Sequence, residues 1–205
     1  MRNQELVKQK EKQERIDRLV GLYLDRSQAD WAGRPGERRV ASITRSASSP
    51  VAQALALNFD DLENAGVAIR VIFSTLEPSD DLSAWFEGTH RQSGNTPLVN
   101  AVRWTGNPAL IDAHEQLVLG NSLSWFGDSM RRDPSTRDAL ETFNTFCEPS
   151  AVQTMRSFEA MWRVSQPVSA SQMGPKNLFT AHETLAAMFS EDRDSVPTAE
   201  LPKRH

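Results

Sequence analysis

The chain has 205 residues, of which 39% are hydrophobic and 24% charged, and its formal net charge is −4 at pH 7. This length and composition predict one sizeable globular domain with appendages. The acidic balance argues against a surface dominated by nucleic-acid binding, although it leaves a local basic patch and a nucleic-acid partner open. The single cysteine, Cys147, excludes an internal disulfide and a thiolate metal site. No two histidines have the spacing of a helical metal site, so we expect no metal ion and no cofactor.

The sequence contains no apolar run of the length, about 18 residues, that a membrane-spanning helix requires. The sequence opens with Arg2, Asn3, Gln4 and Glu5 and then alternates lysine with glutamate, whereas a secretory signal needs an apolar core at that place. We therefore expect a cytoplasmic protein with no membrane partner.

Residues 3–28 have the composition of a helix, since they contain no proline and consist mainly of good helix formers. The first half is charged, and the second half carries an apolar stripe formed by Ile16, Leu19, Val20, Tyr23 and Leu24. This pattern predicts a solvated helix that docks through its second half. An alternative is an arm that binds a protein partner or a second copy. The segment Trp31 to Gly36 contains proline and two glycines and predicts a linker, so residues 1–36 form a helical arm and linker.

A βαβ unit is predicted between residues 40 and 73. Residues 40–44 favour a strand, and Ser49 before Pro50 is typical of a helix start. Gly66 is placed to end that helix in a left-handed conformation, and the β-branched segment 67–73 predicts a second strand. Such units pair their strands in parallel. The apolar positions with helical spacing are Val51, Leu55, Phe59 and Leu62.

The remaining elements complete an α/β prediction. We expect a short helix over 78–86, a polar loop over 88–97, a strand over 99–105, and a hairpin whose strands, 117–119 and 123–126, turn about Gly120-Asn121. Three helices should follow: one after Pro134 carrying Ala139, Leu140, Phe143 and Phe146, one from about Ser150, and one over 177–190. The fold class is α/β, a mixed sheet flanked by helices over 37–190. The charged segment 191–205 is predicted to be a flexible tail.

Two segments carry a resemblance to a known family. Residues 58–72 hold a helix, a glycine and a strand, and His114-Glu115-Gln116 is followed by Asn121 and by Gly127-Asp128. The second segment is similar to the H-x-K-x-x-x-x-D motif and trailing glycine–serine of the phospholipase D-like superfamily. Residues about 39–165 thus resemble one half of a phospholipase D-like fold. The resemblance implies that His114 occupies the nucleophile position and that two halves meet as a homodimer.

Three positions depart from the family pattern. Gln116 stands where the family has lysine, Asn121 where it has aspartate, and Asp128 where it has serine. Lysines in such a site hold the phosphate charge, and a neutral amide cannot replace that charge. The chain also carries one motif, whereas an active site of this family needs two. We therefore predict a pseudoenzyme that acts as a binding or regulatory module, with Gln116, Asn121 and Asp128 as binding residues. His114 is the candidate catalytic residue, and the alternative is a structural remnant that bonds a neighbouring backbone group. His90 of the polar loop could line the same cleft, and the alternative is a solvated loop histidine.

Two other functions are compatible with the sequence. One is a divergent dimeric phosphodiesterase or nuclease that uses His114 of both subunits. The other is an interaction module that works through the helix at 3–28. Trp104 beside Arg103 could serve a nucleic-acid groove, and Arg131, Arg132 and Arg137 could form a basic patch, although acidic residues stand among them.

Overall fold

The computed structural model describes most of the chain up to residue 168, namely 2–30, 37–76, 82, 83, 85, 102–106, 114–127 and 140–168. The helices are α1 (Arg2–Asp30), α2 (Pro50–Leu57), α3 (Phe59–Asn64) and α4 (Glu148–Val164). The strands are β1 (Arg39–Thr44), β2 (Ala68–Phe73), β3 (Val102–Trp104), β4 (Glu115–Leu119), β5 (Leu123–Gly127), β6 (Glu141–Asn144) and β7 (Gln166–Pro167). The helix predicted over 177–190 and the tail lie outside the described residues.

The predicted βαβ unit is confirmed, with one break in its helix. β1 and β2 pair in parallel, and Gly66 adopts a φ of +68° directly before β2. The helical segment is divided at Asn58, whose Nδ2 donates to the carbonyl oxygen of Ala54 and to Oδ1 of Asp17 in α1. This side chain competes with the backbone for hydrogen bonds, which is why asparagine disfavours helix interiors.

The described strands form one seven-stranded mixed sheet of order β6-β5-β4-β1-β2-β3-β7. β1, β2 and β3 are parallel, and β4 runs antiparallel to both β1 and β5. The predicted hairpin is confirmed, with Gly120 at a φ of +60° in its turn. The fold is therefore α/β, a mixed sheet flanked by helices. No helix of the described segments is both long and apolar enough to cross a membrane.

Helices cover both faces of the sheet. α4 packs on one face, where the core consists of Ala41, Ile43, Ile72, Val118, Ala151, Met155 and Phe158. Because side chains alternate along a strand, Val40, Val71, Leu117 and Trp125 point to the opposite face, and all four are buried. α1 and α2 pack against each other on that side, where Lys12 of α1 lies over the Trp125 ring at 5.6 Å.

The helical arm is docked through its second half. The apolar residues Ile16, Leu19, Val20 and Tyr23 are buried, whereas residues 8–11 are exposed. Arg15 of α1 forms an ion pair of 2.5 Å with Glu141 at the start of β6. α1 therefore contributes to the core of the folded chain. The division into residues 1–36, 37–190 and 191–205 stays a prediction.

The prediction of a helix that carries Leu140, Phe143 and Phe146 is wrong over residues 141–144. This segment is β6, which pairs antiparallel with β5 and places Phe143 opposite Trp125. The apolar spacing fits a helix, but pairing with the edge of β5 prevails over local periodicity. Leu140 and Phe146 are accordingly exposed, and the next helix begins at Glu148.

Tyr23 joins α1 to the start of β1 and is the single tyrosine of the chain. Its hydroxyl donates to the carbonyl oxygen of Glu37 at 2.5 Å, and burial raises the pKa of the phenol well above its ordinary value. The folded state thus favours the neutral phenol. Its contribution to stability is complete below the unfolded pKa of about 10 and is lost as the pH rises further.

We therefore expect the tyrosinate absorbance of the wild-type protein to rise together with alkaline unfolding. Tyr23→Phe should lower the free energy of unfolding at neutral pH by about 1 kcal/mol, since it removes one hydrogen bond. The measurements are a spectroscopic pH titration and denaturant unfolding. A phenol that ionises at its ordinary pKa while α1 stays helical would contradict this assignment.

Candidate functional site

The candidate site lies where the carboxyl ends of β1, β2 and β3 meet the start of β4. In open α/β sheets, ligands bind in the crevice at this edge. His114 directly precedes β4, and its side chain is exposed. Among the described residues, none forms a hydrogen bond with the imidazole of His114. The ring is accessible, and nothing in this part of the chain fixes its orientation.

Glu115, the residue after His114, is fully buried on the opposite face of β4 from Gln116. Its Oε1 accepts hydrogen bonds from Oγ1 of Thr44 at 2.8 Å and from the backbone N–H of Arg45 at 3.0 Å. The Thr44 hydroxyl also contacts the hydroxyl of Ser49. Oε2 of Glu115 is buried and has no hydrogen-bond partner in the described part of the chain. The site therefore contains a buried carboxyl group that accepts hydrogen bonds from the Thr44 hydroxyl and the Arg45 N–H at the end of β1.

The predicted helix start at Ser49 explains part of this arrangement. Ser49 stands at the N-cap position of α2 and Pro50 is the first helical residue, yet the hydroxyl of Ser49 does not cap the helix. It turns instead toward Thr44, because the end of β1 and the start of α2 are five residues apart and both face the buried Glu115 carboxylate. Thr44, Ser49 and Glu115 form one internal hydrogen-bonded cluster.

The other two described site residues lie at opposite ends of β4, Gln116 at its start near His114 and Asn121 in the turn that follows it. Gln116 is half-buried, pairs with Ile43 of β1, and has an Oε1 atom without a partner among the described residues. Asn121 lies in the turn after β4, at the far end of that strand, and its Oδ1 accepts from Nη2 of Arg39 at 2.9 Å. Gln116 is thus two residues from His114 in the chain, whereas Asn121 lies beyond the far end of β4. His90 and Asp128 lie outside the described residues, as do Arg131, Arg132 and Arg137.

A second polar feature was not predicted from the sequence: a groove between the start of β1 and α4. Its volume is about 460 Å³, and its lining consists of Arg39, Val152, Met155, Arg156, Glu159, Ala160 and Arg163. We call this feature the α4 groove. The i, i+3, i+7 spacing of Arg156, Glu159 and Arg163 was a signal for one polar helix face, but the arginines contributed by the strands depend on strand register, which the sequence did not supply.

Glu159 is the acidic side chain of the α4 groove. It forms a two-pronged ion pair with Arg70 of β2, one contact of which measures 3.4 Å from Nη1 to Oε2. The hydrogen bond from Arg70 lowers the pKa of the Glu159 carboxyl, so this group stays ionised through the neutral range. The guanidinium of Arg70 lies 5.1 Å from the Phe158 ring and 5.2 Å from the Trp162 ring.

Among the described side chains, no group of three or more His, Cys, Asp or Glu residues is arranged to hold a metal ion. Cys147 is free and half-buried at the start of α4. The chemistry available at the described part of the sheet edge is therefore that of the imidazole, the buried carboxylate and the neighbouring hydroxyls.

The chain matches no protein-family model, and no curated protein is similar to it in sequence. Two solved structures are similar in fold. One is Nuc, a phospholipase D family member from Salmonella typhimurium, with a TM-score of 0.45 and 9% identity over 74% of this chain and 91% of that chain. The other is TrmBL2, an archaeal chromatin protein that binds DNA, with a TM-score of 0.47 and 11% identity over 65% of this chain and 46% of that chain. At such identities neither comparison transfers a residue role to this chain.

Proposed function

We propose that this protein is a phospholipase D-like binding module that does not cleave phosphodiesters. The observation that carries the proposal is the neutral, half-buried Gln116, two residues after His114, at the position where the family has lysine. A histidine that attacks phosphorus works beside cations that hold the phosphate and stabilise the transition state. Here that position on β4 carries no charge, and the residue between the two, Glu115, is a buried acid.

The hydrogen bonds of Glu115 support the same conclusion. The Thr44 hydroxyl and the Arg45 N–H are the donors that a phosphate at the end of β1 would use, and both are directed at Oε1 of Glu115. A phosphate would have to displace a carboxyl group that already accepts both of these hydrogen bonds.

The first experiment measures hydrolysis of bis-(p-nitrophenyl) phosphate and of single- and double-stranded DNA by the purified protein. We expect the wild-type protein and His114→Ala to be indistinguishable from buffer, because no transition-state cation acts beside His114 in this proposal. Circular dichroism of both proteins serves as the folding control. Hydrolysis by the wild-type protein that is abolished in His114→Ala would overturn the proposal and would make Gln116 a tolerated replacement for lysine.

The alternative function is a divergent dimeric phosphodiesterase or nuclease. It is favoured by one observation, the exposure of His114, because an accessible imidazole could face its counterpart in a second copy. This alternative expects a hydrolytic rate per subunit that rises with protein concentration and parallels dimer formation in analytical ultracentrifugation. A rate that is zero in the dimer excludes it.

A role of α1 as an interaction module would have to use the exposed side of that helix, which includes residues 8–11, Glu14 and Arg18. Deleting α1 would not test this role, since Ile16 and Val20 belong to the core. Charge-reversing substitutions at the exposed positions would leave the core intact, and a pull-down with the full chain would show whether they weaken binding to a partner.

A further inference from the structure

Three neighbouring parallel strands each place one arginine on the face that α4 covers. Arg70 pairs with Ala41 and Arg103 pairs with Ile72, and both partners belong to that face. Arg39 lies two residues before Ala41 and therefore points to the same side. Arginine is rarely placed on the buried face of a sheet unless its charge is used. Strand register therefore places the three guanidinium groups on one face of the sheet, where they form a basic row under the second half of α4.

α4 adds further positive charge above this row. Arg156 and Arg163 are exposed, and they stand on the same side of the helix as Glu159, which is half-buried. The strand row and the polar face of α4 together contribute five arginines and one carboxylate among the described residues. Glu159 is already engaged by Arg70. The local charge of this region is therefore positive. The whole chain has a net charge of −4, so the basic cluster is a local feature and does not reflect a generally basic protein.

Two of the strand arginines, Arg39 and Arg103, are held in place by contacts with neutral groups. Nη1 of Arg103 donates to the carbonyl oxygen of Trp162 at 2.5 Å, and its guanidinium lies 4.7 Å from the Trp162 ring. Nη2 of Arg39 donates to Asn121, while its Nε is buried and has no hydrogen-bond partner among the described residues. Side chains whose positions are fixed in this way lose little conformational freedom when they bind a ligand.

The α4 groove also offers an apolar surface beside the charges, formed by Val152, Met155 and Ala160. Its volume of about 460 Å³ falls in the range of small-molecule sites. Arginine matches the geometry of phosphate oxygens by paired N–H donors, and an apolar wall suits the planar base of a nucleotide. Single-stranded nucleic acids are also bound in positively charged grooves that follow their backbone.

We propose that the α4 groove binds the phosphate of a nucleotide, either free or as part of a single strand, through Arg39, Arg156 and Arg163. The site is built from residues other than His114 and Glu115. It therefore goes beyond the function proposed above, and the failure of one proposal leaves the other standing.

The test uses the full chain with a labelled oligothymidylate in fluorescence polarisation, and ATP, AMP and inorganic phosphate in calorimetry. The double variant Arg156→Glu/Arg163→Glu should weaken binding by about a hundredfold or more, since it removes two charge-assisted contacts to phosphate and replaces them with repulsion. Its affinity should also depend less on salt concentration, because it releases fewer counterions. The matched control is Arg18→Glu/Arg26→Glu, which makes the same charge change at exposed positions of α1 and should change affinity less than about twofold.

A third variant, Glu159→Gln, should raise the affinity for the same probes, because it removes the carboxylate that competes with phosphate for the arginines. A variant with a merely structural defect would not bind more tightly. Binding of ATP and AMP without the oligonucleotide would identify a free nucleotide, and binding of the oligonucleotide alone would identify a single strand. The proposal is overturned if neither binds at low salt, if inorganic phosphate binds as well as the nucleotides, or if the α1 control loses as much affinity as the groove variant.

Discussion

Truncation of Phe158 to alanine is expected to lower the free energy of unfolding by about 3–5 kcal/mol, the range for deleting a buried aromatic side chain. Phe158 is 1% exposed and belongs to the core between α4 and the sheet. Its ring lies 5.4 Å from that of Trp162 and supports the guanidinium of Arg70. The variant therefore loses apolar burial, an aromatic pair and a cation–π contact in one substitution, and it leaves a cavity under α4.

The matched control is Phe146→Ala, which removes the same number of atoms from a side chain that is 56% exposed. It retains the core and loses the contact with Arg26 and little buried surface, so it should cost less than about 1 kcal/mol. Denaturant unfolding of both variants provides the comparison. Equal losses in the two variants would show that α4 does not pack on the sheet through Phe158.

Gly120→Ala is expected to lower the free energy of unfolding by about 2–3 kcal/mol, through backbone strain and a lost hydrogen bond. Gly120 has a φ of +60°, a conformation that side chains with a Cβ rarely adopt. An added Cβ would lie 2.5 Å from Oε2 of Glu37, and that oxygen accepts from the N–H of Asn121 at 3.2 Å. The Glu37 side chain has to move, and the turn between β4 and β5 loses this bond.

Two further glycines make this prediction specific. Gly66 has a φ of +68°, but an added Cβ would make only an ordinary contact, 3.8 Å from Nη1 of Arg38, so Gly66→Ala should show the strain alone, about 1–2 kcal/mol. Gly21 lies within α1 with nothing near an added Cβ, so Gly21→Ala should stabilise the protein by about 0.5–1 kcal/mol. Thermal and denaturant unfolding of the three variants should rank them in this order. A stabilising Gly120→Ala would exclude the turn as described.

The sequence predicted those elements whose signals are local. β1, β2 and the helix between them follow from β-branched runs, from Pro50 at a helix start and from Gly66 at its end, and the β4–β5 hairpin follows from Gly120-Asn121. The sequence predicts a helix at β6 because the spacing of its apolar residues fits a helix. The four residues form a strand because they pair with β5, and this pairing has no local signal. The break at Asn58 likewise depends on a partner, Asp17, that is distant in sequence.

The candidate site divides in the same way. The position of His114 at the start of a strand was predictable from the motif and the hairpin. That Glu115 would be buried was not, because strand alternation alone does not tell which face a helix covers. The row formed by Arg39, Arg70 and Arg103 could not be predicted from the sequence either. The three residues come from different strands, and the register between those strands is fixed only when the sheet forms.

The position of β1 between β2 and β4 has a consequence for how the chain folds. On one side, β1 meets a strand that follows closely, as in the contact from the Ser74 hydroxyl to the Arg45 carbonyl, 29 residues apart. On the other side it meets β4, as in the contact from Ser42 to Gln116, 74 residues apart. Forming the distant pairing requires closure of the longer loop, which is the slower event. The βαβ unit and the β4–β5 hairpin are thus expected to form first, and their docking along β1 should set the rate of folding.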